Sequence, residues 1–282
     1  MFVDGKGERG VIGSMFPGGL APELRPVGES AILAGDSLMA YALMQKELVA
    51  PELARLKRAF SVLPTLTDHD AQTVAHDAYG ILLRGLEESA AAMLCESLSI
   101  EGIDTEVVAE AKLPTLPPAK IVRQVEFQPG HLTVYDSMKR SSEVPWREVI
   151  FIAAGRVKVR EVHTVKELET LGGTRLKEET VEHLLLDLFV ADGTIRFSLA
   201  ADEFTFDHLG ARLTEDRATN FFLLLNEFAA HAPHAGLNRG AFLTGQPPPE
   251  MFPYPSKQAF QEELIWMLWR IAKLTGNNAA DI

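Results

Sequence analysis

The stretch from Val144 to Val162, VPWREVIFIAAGRVKVREV, constrains the fold of this chain more than any other. Its apolar run from Val149 to Ile152 is typical of a strand, and Ala154–Gly155 predicts a turn after it. Beyond that turn, apolar and basic residues alternate: Val157, Lys158, Val159 and Arg160. Alternation with a period of two predicts a strand with one solvated face. Similar pieces precede and follow this stretch, so it predicts the middle of an antiparallel β domain.

Charge and cysteine content exclude several classes of protein. The net charge is -12, and both main parts of the chain are acidic: residues 39–112 hold 6 Lys/Arg against 12 Asp/Glu, and residues 120–231 hold 14 against 18. Nucleic acid and an anionic membrane surface are therefore poor candidates as partners. The single cysteine, Cys95, suits a reducing compartment. With no signal-peptide pattern and no apolar run of membrane-spanning length, we expect a cytoplasmic protein without a membrane span.

Residues 1–37 are rich in glycine and proline and lack periodicity, which predicts a flexible tail or a segment upstream of the native start. Gly5 to Gly10 matches GxGxxG, but no strand precedes this motif and no helix follows it. Gly35 to Leu38 spells GDSL and resembles the signature of the GDSL esterases, in which the serine is the nucleophile. Ser37 is thus a candidate nucleophile, although no histidine here has an aspartate three residues before it to complete that family's base motif.

Residues 38–112 predict a small domain with the order β-α-α-β-α-β. Thr67 and Asp70 have the spacing of a capping box at the start of its second helix. The final half, EESAAAMLCESLSIEGIDTEVV, resembles the C-terminal domain of the bacterial ribosomal stalk protein, and the layering resembles the Clp protease adaptor. This resemblance implies a fold and no factor binding, because the corresponding helices are acidic here. Residues 113–120, with three prolines, predict an extended linker; a loop inside one domain is the alternative.

Residues 121–235 predict a second domain of hairpins closed by a helix. A hairpin spans residues 121–136, a charge-dense exposed excursion spans 163–180, and two more strands flank Asp192–Gly193. The helix after Thr214 carries an apolar face. We expect four structural anchors in this domain: Trp146, Phe221, Phe222 and Leu225. The arrangement resembles the pleckstrin-homology superfold and its GRAM relatives, which implies an antiparallel barrel closed by a C-terminal helix. The first hairpin loop has no cation, so phosphoinositide binding is not implied.

Residues 236–282 predict a proline-rich segment followed by an amphipathic helix. Phe260, Leu264, Trp266 and Trp269 of this helix are candidate interface residues, because aromatic residues are enriched at interaction hot spots. Two of them, Trp266 and Trp269, lie partly off the apolar stripe, so both sides of the helix are expected to need cover. The cover is the chain's own body, a second copy or another protein. The pair His231 and His234 could ligate zinc only if a further ligand converged from elsewhere.

The sequence thus predicts an α+β protein of two parts plus a C-terminal helix. The combination of the two parts resembles a family of bacterial hypothetical proteins, and that resemblance implies architecture alone. We expect a non-catalytic protein-binding or scaffold module with no cofactor and no metal. Self-association or a protein partner would use the C-terminal helix. A pleckstrin-homology-like barrel that senses a small ligand is the alternative, and an esterase using Ser37 is a remote one.

Overall fold

The computed structural model describes residues 39–166, 174–242 and 251–279 of the chain. The described residues form one compact unit. The chain is a mixed α+β protein, as predicted. The proposed tail at residues 1–37, together with its GxGxxG match and Ser37, lies outside the described residues.

The first part contains three strands and three helices: β1 (Tyr41–Gln45), α1 (Leu53–Phe60), α2 (Asp68–Asp77), β2 (Ile81–Leu86), α3 (Glu88–Ile100) and β3 (Thr105–Ala109). The strands form an antiparallel sheet in the order β2-β1-β3. The capping box is present at the start of α2, where the side chains of Thr67 and Asp70 each accept from the other's backbone N–H. The three helices cover one face of the sheet, and Leu43 and Leu82 lie in the core between them.

The second part contains seven strands and a helix: β4 (Ala119–Ile121), β5 (Gln124–Phe127), β6 (His131–Tyr135), β7 (Ser141–Pro145), β8 (Val149–Lys166), β9 (Thr174–Val190), β10 (Ile195–Ala200) and α4 (Arg217–His231). Strands β5-β6-β7 form one antiparallel sheet, and β8-β9-β10 form the antiparallel body of a larger one. Helix α4 packs its apolar face into the core between the two sheets.

The expected barrel is not closed within the described residues. The strands of this part belong to two separate sheets, and β4 joins the edge of the larger one by pairing in parallel with β10. The two sheets are separate here because the backbone leaves the larger sheet after β4 and starts the smaller sheet at β5.

The predicted turn at Ala154–Gly155 is wrong, because β8 runs through both residues without a break. Gly155 lies there for a different reason. A Cβ atom at this position would come within 2.4 Å of the Tyr254 ring, so only glycine lets the aromatic ring lie against the strand backbone.

The exposed excursion predicted at residues 163–180 is a two-stranded ribbon where the structure describes it. Strand β8 continues to Lys166 and β9 begins at Thr174, with continuous antiparallel register between them. Residues 167–173 lie outside the described residues. Charge density therefore marked a two-stranded ribbon here rather than a loop.

The last part contains β11 (Gly236–Leu237), β12 (Pro253–Tyr254) and α5 (Lys257–Ala279). The two short strands pair in parallel with β8. Helix α5 lies between the β2-β1-β3 sheet and the sheet that contains β8 and β9, and its residues Phe260, Leu264 and Leu268 pack on β8 and β9. Trp266 packs on the face of the β2-β1-β3 sheet that the other helices leave free. The prediction that both sides of this helix need cover is confirmed.

Among the described residues, no helix is both long enough and apolar enough to cross a bilayer.

Candidate functional site

The candidate interface residues of α5 lie mostly inside the chain. Phe260, Leu264 and Trp266 are buried, and Trp269 is half-buried with the Lys273 ammonium 4.6 Å from its ring centroid. The Trp266 indole N–H donates to the carbonyl of Gln45 at 2.7 Å. Cover by the chain's own body was one of the alternatives that the sequence left open. A role for these residues in binding another molecule stays a prediction.

The four expected anchors of the second part take different positions. Trp146, Phe221 and Leu225 are buried in the core around α4, whereas Phe222 is half-buried. The Trp146 indole N–H donates to the Gln128 carbonyl at 2.8 Å, which satisfies its polar edge.

The two neighbouring histidines do not share an environment. The His231 ring packs 4.8 Å from the Trp146 ring, and its Nδ1 lies 2.9 Å from the Glu227 carbonyl oxygen. His234 is exposed. Over the part of the chain that the structure describes, no group of three His, Cys, Asp or Glu side chains is placed to hold a metal ion.

A cavity of about 440 Å³ lies where β5, the C-terminal end of α4 and a short 3-10 helix (Asp207–Arg212) meet. We call it the His208 pocket, and it is lined by Glu126, Phe127, Gln128, His208, Arg212, Glu227 and His231. Its size falls within the range of about 300–1,000 Å³ found for small-molecule sites. Phe127 forms the aromatic part of the wall, with the Trp146 and His231 rings 5.6 and 5.2 Å away.

His208 is the unusual member of this lining. Its side chain is only 4% exposed, yet among the described residues neither ring nitrogen has a hydrogen-bond partner. A carboxylate oxygen of Glu227 is 3.6 Å from Nε2, which is too long for a hydrogen bond, and Glu227 already pairs with Arg212. A buried polar group without a partner costs about 1–3 kcal/mol, so the fold keeps this imidazole at the expense of its own stability.

Burial sets the charge state of His208. Desolvation lowers the pKa of its imidazole below the ordinary value of 6.5, and Arg212 adds to this effect while Glu227 opposes it. The ring is therefore neutral near pH 7. One nitrogen then offers an N–H donor and the other a lone pair, and both are shielded from solvent.

Sequence reasoning missed this pocket because its lining comes from three distant segments, at residues 126–128, 208–212 and 227–231. Only His231 was selected, and for a metal role. The available signal was the spacing of Phe204, Phe206 and His208, which places a histidine next to aromatic residues in an irregular segment.

A second buried polar cluster lies on the other side of the larger sheet. Glu263 is 0% exposed and its carboxylate accepts from the Arg239 guanidinium at 2.7 Å and from the Tyr254 hydroxyl at 2.9 Å. Asn238 donates to the Tyr254 hydroxyl at 2.8 Å and exchanges two hydrogen bonds with the Ala154 backbone. Burial and the neighbouring Glu263 carboxylate raise the pKa of Tyr254. Because these side chains hydrogen-bond to one another, we assign this cluster a structural role.

No protein-family model, curated protein or solved structure matches the chain.

Proposed function

We propose that this chain is a non-catalytic binding protein whose second part, residues 121–235, has a pleckstrin-homology-like fold and holds a small planar ligand in the His208 pocket. Two consecutive three-stranded antiparallel units followed by a helix support this fold assignment. The likeness of residues 38–112 to the stalk-protein domain is supported by the element order β1-α1-α2-β2-α3-β3.

The observation that carries the functional proposal is the buried, unpartnered imidazole of His208 beside a cavity. A neutral imidazole presents one donor and one acceptor, and a ligand with a complementary polar edge would satisfy both. Phe127 and His231 in the same lining offer ring faces for stacking. A flat heteroaromatic molecule combines these two properties, so this is the class of ligand that the pocket fits.

The same contacts favour binding over catalysis. The charged groups that act on His208 are Glu227, Arg212 and Asp207, and the first two are already paired with each other. The other rings near it, those of Phe127, Phe204 and Phe206, are apolar. Ester hydrolysis assayed with the wild type and with Ser37→Ala tests the enzymatic alternative, since a serine-dependent activity would contradict the non-catalytic proposal.

The ligand proposal is tested by calorimetric titration with adenine, cytosine, nicotinamide and indole as probes, with cyclohexanol as a non-planar comparison. We expect at least one planar heterocycle to bind the wild type and cyclohexanol not to bind. His208→Leu removes the polar edge without emptying the site, so it should abolish binding. The matched control is His76→Leu, which changes an exposed histidine on α2 and should bind as the wild type does.

Stability measurements show whether lost binding reflects lost folding. Because leucine replaces a buried polar group that has no partner, His208→Leu should be as stable as the wild type or more stable. Equal binding of a heterocycle by wild type and His208→Leu, or no binding of any planar probe, would rule out the proposed role of the pocket.

A further inference from the structure

A second cavity, of about 520 Å³, opens between the two sheets of the second part, at the side where the edge strands β4 and β7 face each other. Its floor is apolar and reaches the main core through Val122, Val134 and Phe197, all of which are buried. We call it the inter-sheet groove. It is separate from the His208 pocket and shares no lining residue with it.

Lys120 is a charged side chain in a groove whose floor is apolar. It pairs in register with Phe197 of β10, so both side chains project from the same face of the sheet, toward the groove. The Lys120 ammonium lies 5.6 Å from the centroid of the Phe197 ring. Among the described residues it has no carboxylate partner, although the protein as a whole carries a net charge of -12.

The β6–β7 loop supplies the rest of the rim. Arg140 lines the groove and is paired with Asp136 at 2.6 Å, and Lys139 beside it is exposed. Two large apolar side chains are left in water nearby: Ile121 is 48% exposed and Met138 is 73% exposed. The rim has three cations, Lys120, Lys139 and Arg140, against two carboxylates, those of Asp136 and of Glu126, which contacts Tyr135 of the lining.

We propose that the inter-sheet groove binds a free single-chain anionic amphiphile, such as a medium-chain carboxylate. The carboxylate would pair with Lys120, and the alkyl chain would lie along the apolar floor formed by Val122, Val134 and Phe197. This assignment fits an apolar floor with cations at its mouth, because each part of an amphiphile meets a surface of matching character. The proposal does not depend on the function assigned to the His208 pocket.

Decanoate is the probe, and its binding to the full chain is measured by isothermal titration calorimetry below its critical micelle concentration. Decylamine carries the opposite charge on the same chain, and butyrate carries the same charge on a shorter one. We expect decanoate to bind, decylamine not to bind, and butyrate to bind at least tenfold more weakly. Removing the charge with Lys120→Gln should weaken decanoate binding about tenfold, as expected for loss of a charge-assisted contact.

Three control variants test whether decanoate binds at Lys120 rather than elsewhere on the protein. Lys120→Arg keeps the charge and should bind decanoate within about twofold of the wild type, and Lys46→Gln changes an exposed lysine of the first part and should have no effect. His208→Leu should also leave decanoate binding unchanged.

The alternative role for Lys120 is purely structural, as a charge that protects the edge strand β4 from pairing with other chains. In that case Lys120→Gln would increase self-association on sedimentation and leave decanoate binding intact, which would overturn the proposal. Binding to vesicles of phosphatidylglycerol in preference to free decanoate, or equal binding of decylamine, would overturn it as well.

Discussion

Helices α4 and α5 cover opposite faces of the same sheet, and one buried titratable group beside each helix has a different set of partners. On the α5 face, the buried carboxylate of Glu263 accepts hydrogen bonds from Arg239 and Tyr254. On the α4 face, the buried imidazole of His208 neither accepts nor donates a hydrogen bond among the described residues. Both groups are titratable and removed from solvent, so the difference lies in whether the protein itself supplies the partner.

This difference follows from what each helix joins. Helix α5 lies between two sheets, and Trp266 on one side and Leu264 on the other belong to two different cores. A polar cluster with fixed geometry at such a junction selects one orientation of the helix, because a buried charge is tolerated only with its partner. Helix α4 belongs to a single core, which apolar packing alone can specify. An unsatisfied group at its end therefore points to a requirement other than folding.

The largest effect is expected from breaking the α5 junction at Trp266. Trp266→Ala should lower the free energy of unfolding by about 4 kcal/mol, because it removes a buried indole and leaves a cavity. It also leaves the Gln45 carbonyl without its donor. Urea denaturation followed by circular dichroism measures the loss. Trp269→Ala, at the half-buried neighbouring position, is the control and should cost about 1 kcal/mol. Similar losses for both variants would show that Trp266 does not hold the junction.

A pair of leucine substitutions tests the comparison between the two faces directly. Glu263→Leu should destabilise the protein by about 3 kcal/mol, since Arg239 and the Tyr254 hydroxyl lose their acceptor. His208→Leu should stabilise it by about 1 kcal/mol. Thermal and urea unfolding of both variants measure these changes in the free energy of unfolding. Effects of the same sign would contradict the distinction between a polar group kept for structure and one kept for a ligand.

Glu262→Ala serves as the control for Glu263→Leu. It changes the adjacent glutamate, which pairs with Arg84 at 2.8 Å on a more exposed side of α5. We expect a loss of no more than about 1 kcal/mol for this pair.

The features that the sequence predicted correctly are local ones. Thr67 and Asp70 form their capping box because its hydrogen bonds join residues only three apart. The two-sided character of α5 was visible because Trp266 and Trp269 fall off the stripe that contains Phe260 and Leu264. In both cases the interacting or contrasting residues lie within one or two helical turns, where spacing along the chain determines the geometry.

The features that the sequence did not predict depend on long-range contacts. Gly155 suggested a turn, but it is glycine because Tyr254, about a hundred positions later, lies against it. Gly80 is similar: it has a positive φ of 92°, and a Cβ there would meet the Trp266 ring at 2.4 Å. The His208 pocket likewise draws on three separate segments. No local pattern encodes a neighbour that only the complete fold supplies.

The smallest effect, and the sharpest test of the unpartnered imidazole, is the pH dependence of stability. Burial lowers the pKa of His208 in the folded protein below its ordinary value of 6.5, so between these two values the unfolded chain binds more protons than the folded one. The contribution of the neutral His208 ring to the free energy of unfolding is therefore fully present above about pH 7. It is lost as the pH falls through the folded pKa. His208→Leu lacks this titration, so its stability advantage over the wild type should grow as the pH is lowered from 7.5 to 5.5.

The comparison cancels the carboxylates that titrate in both proteins, and His76→Leu shows what an exposed histidine contributes. A bound planar ligand that hydrogen-bonds to the neutral ring should protect the wild type and steepen its loss of stability on acidification. A constant difference between wild type and His208→Leu across this range would show that His208 is not a buried neutral imidazole, and both the contrast with Glu263 and the ligand proposal would lose their basis.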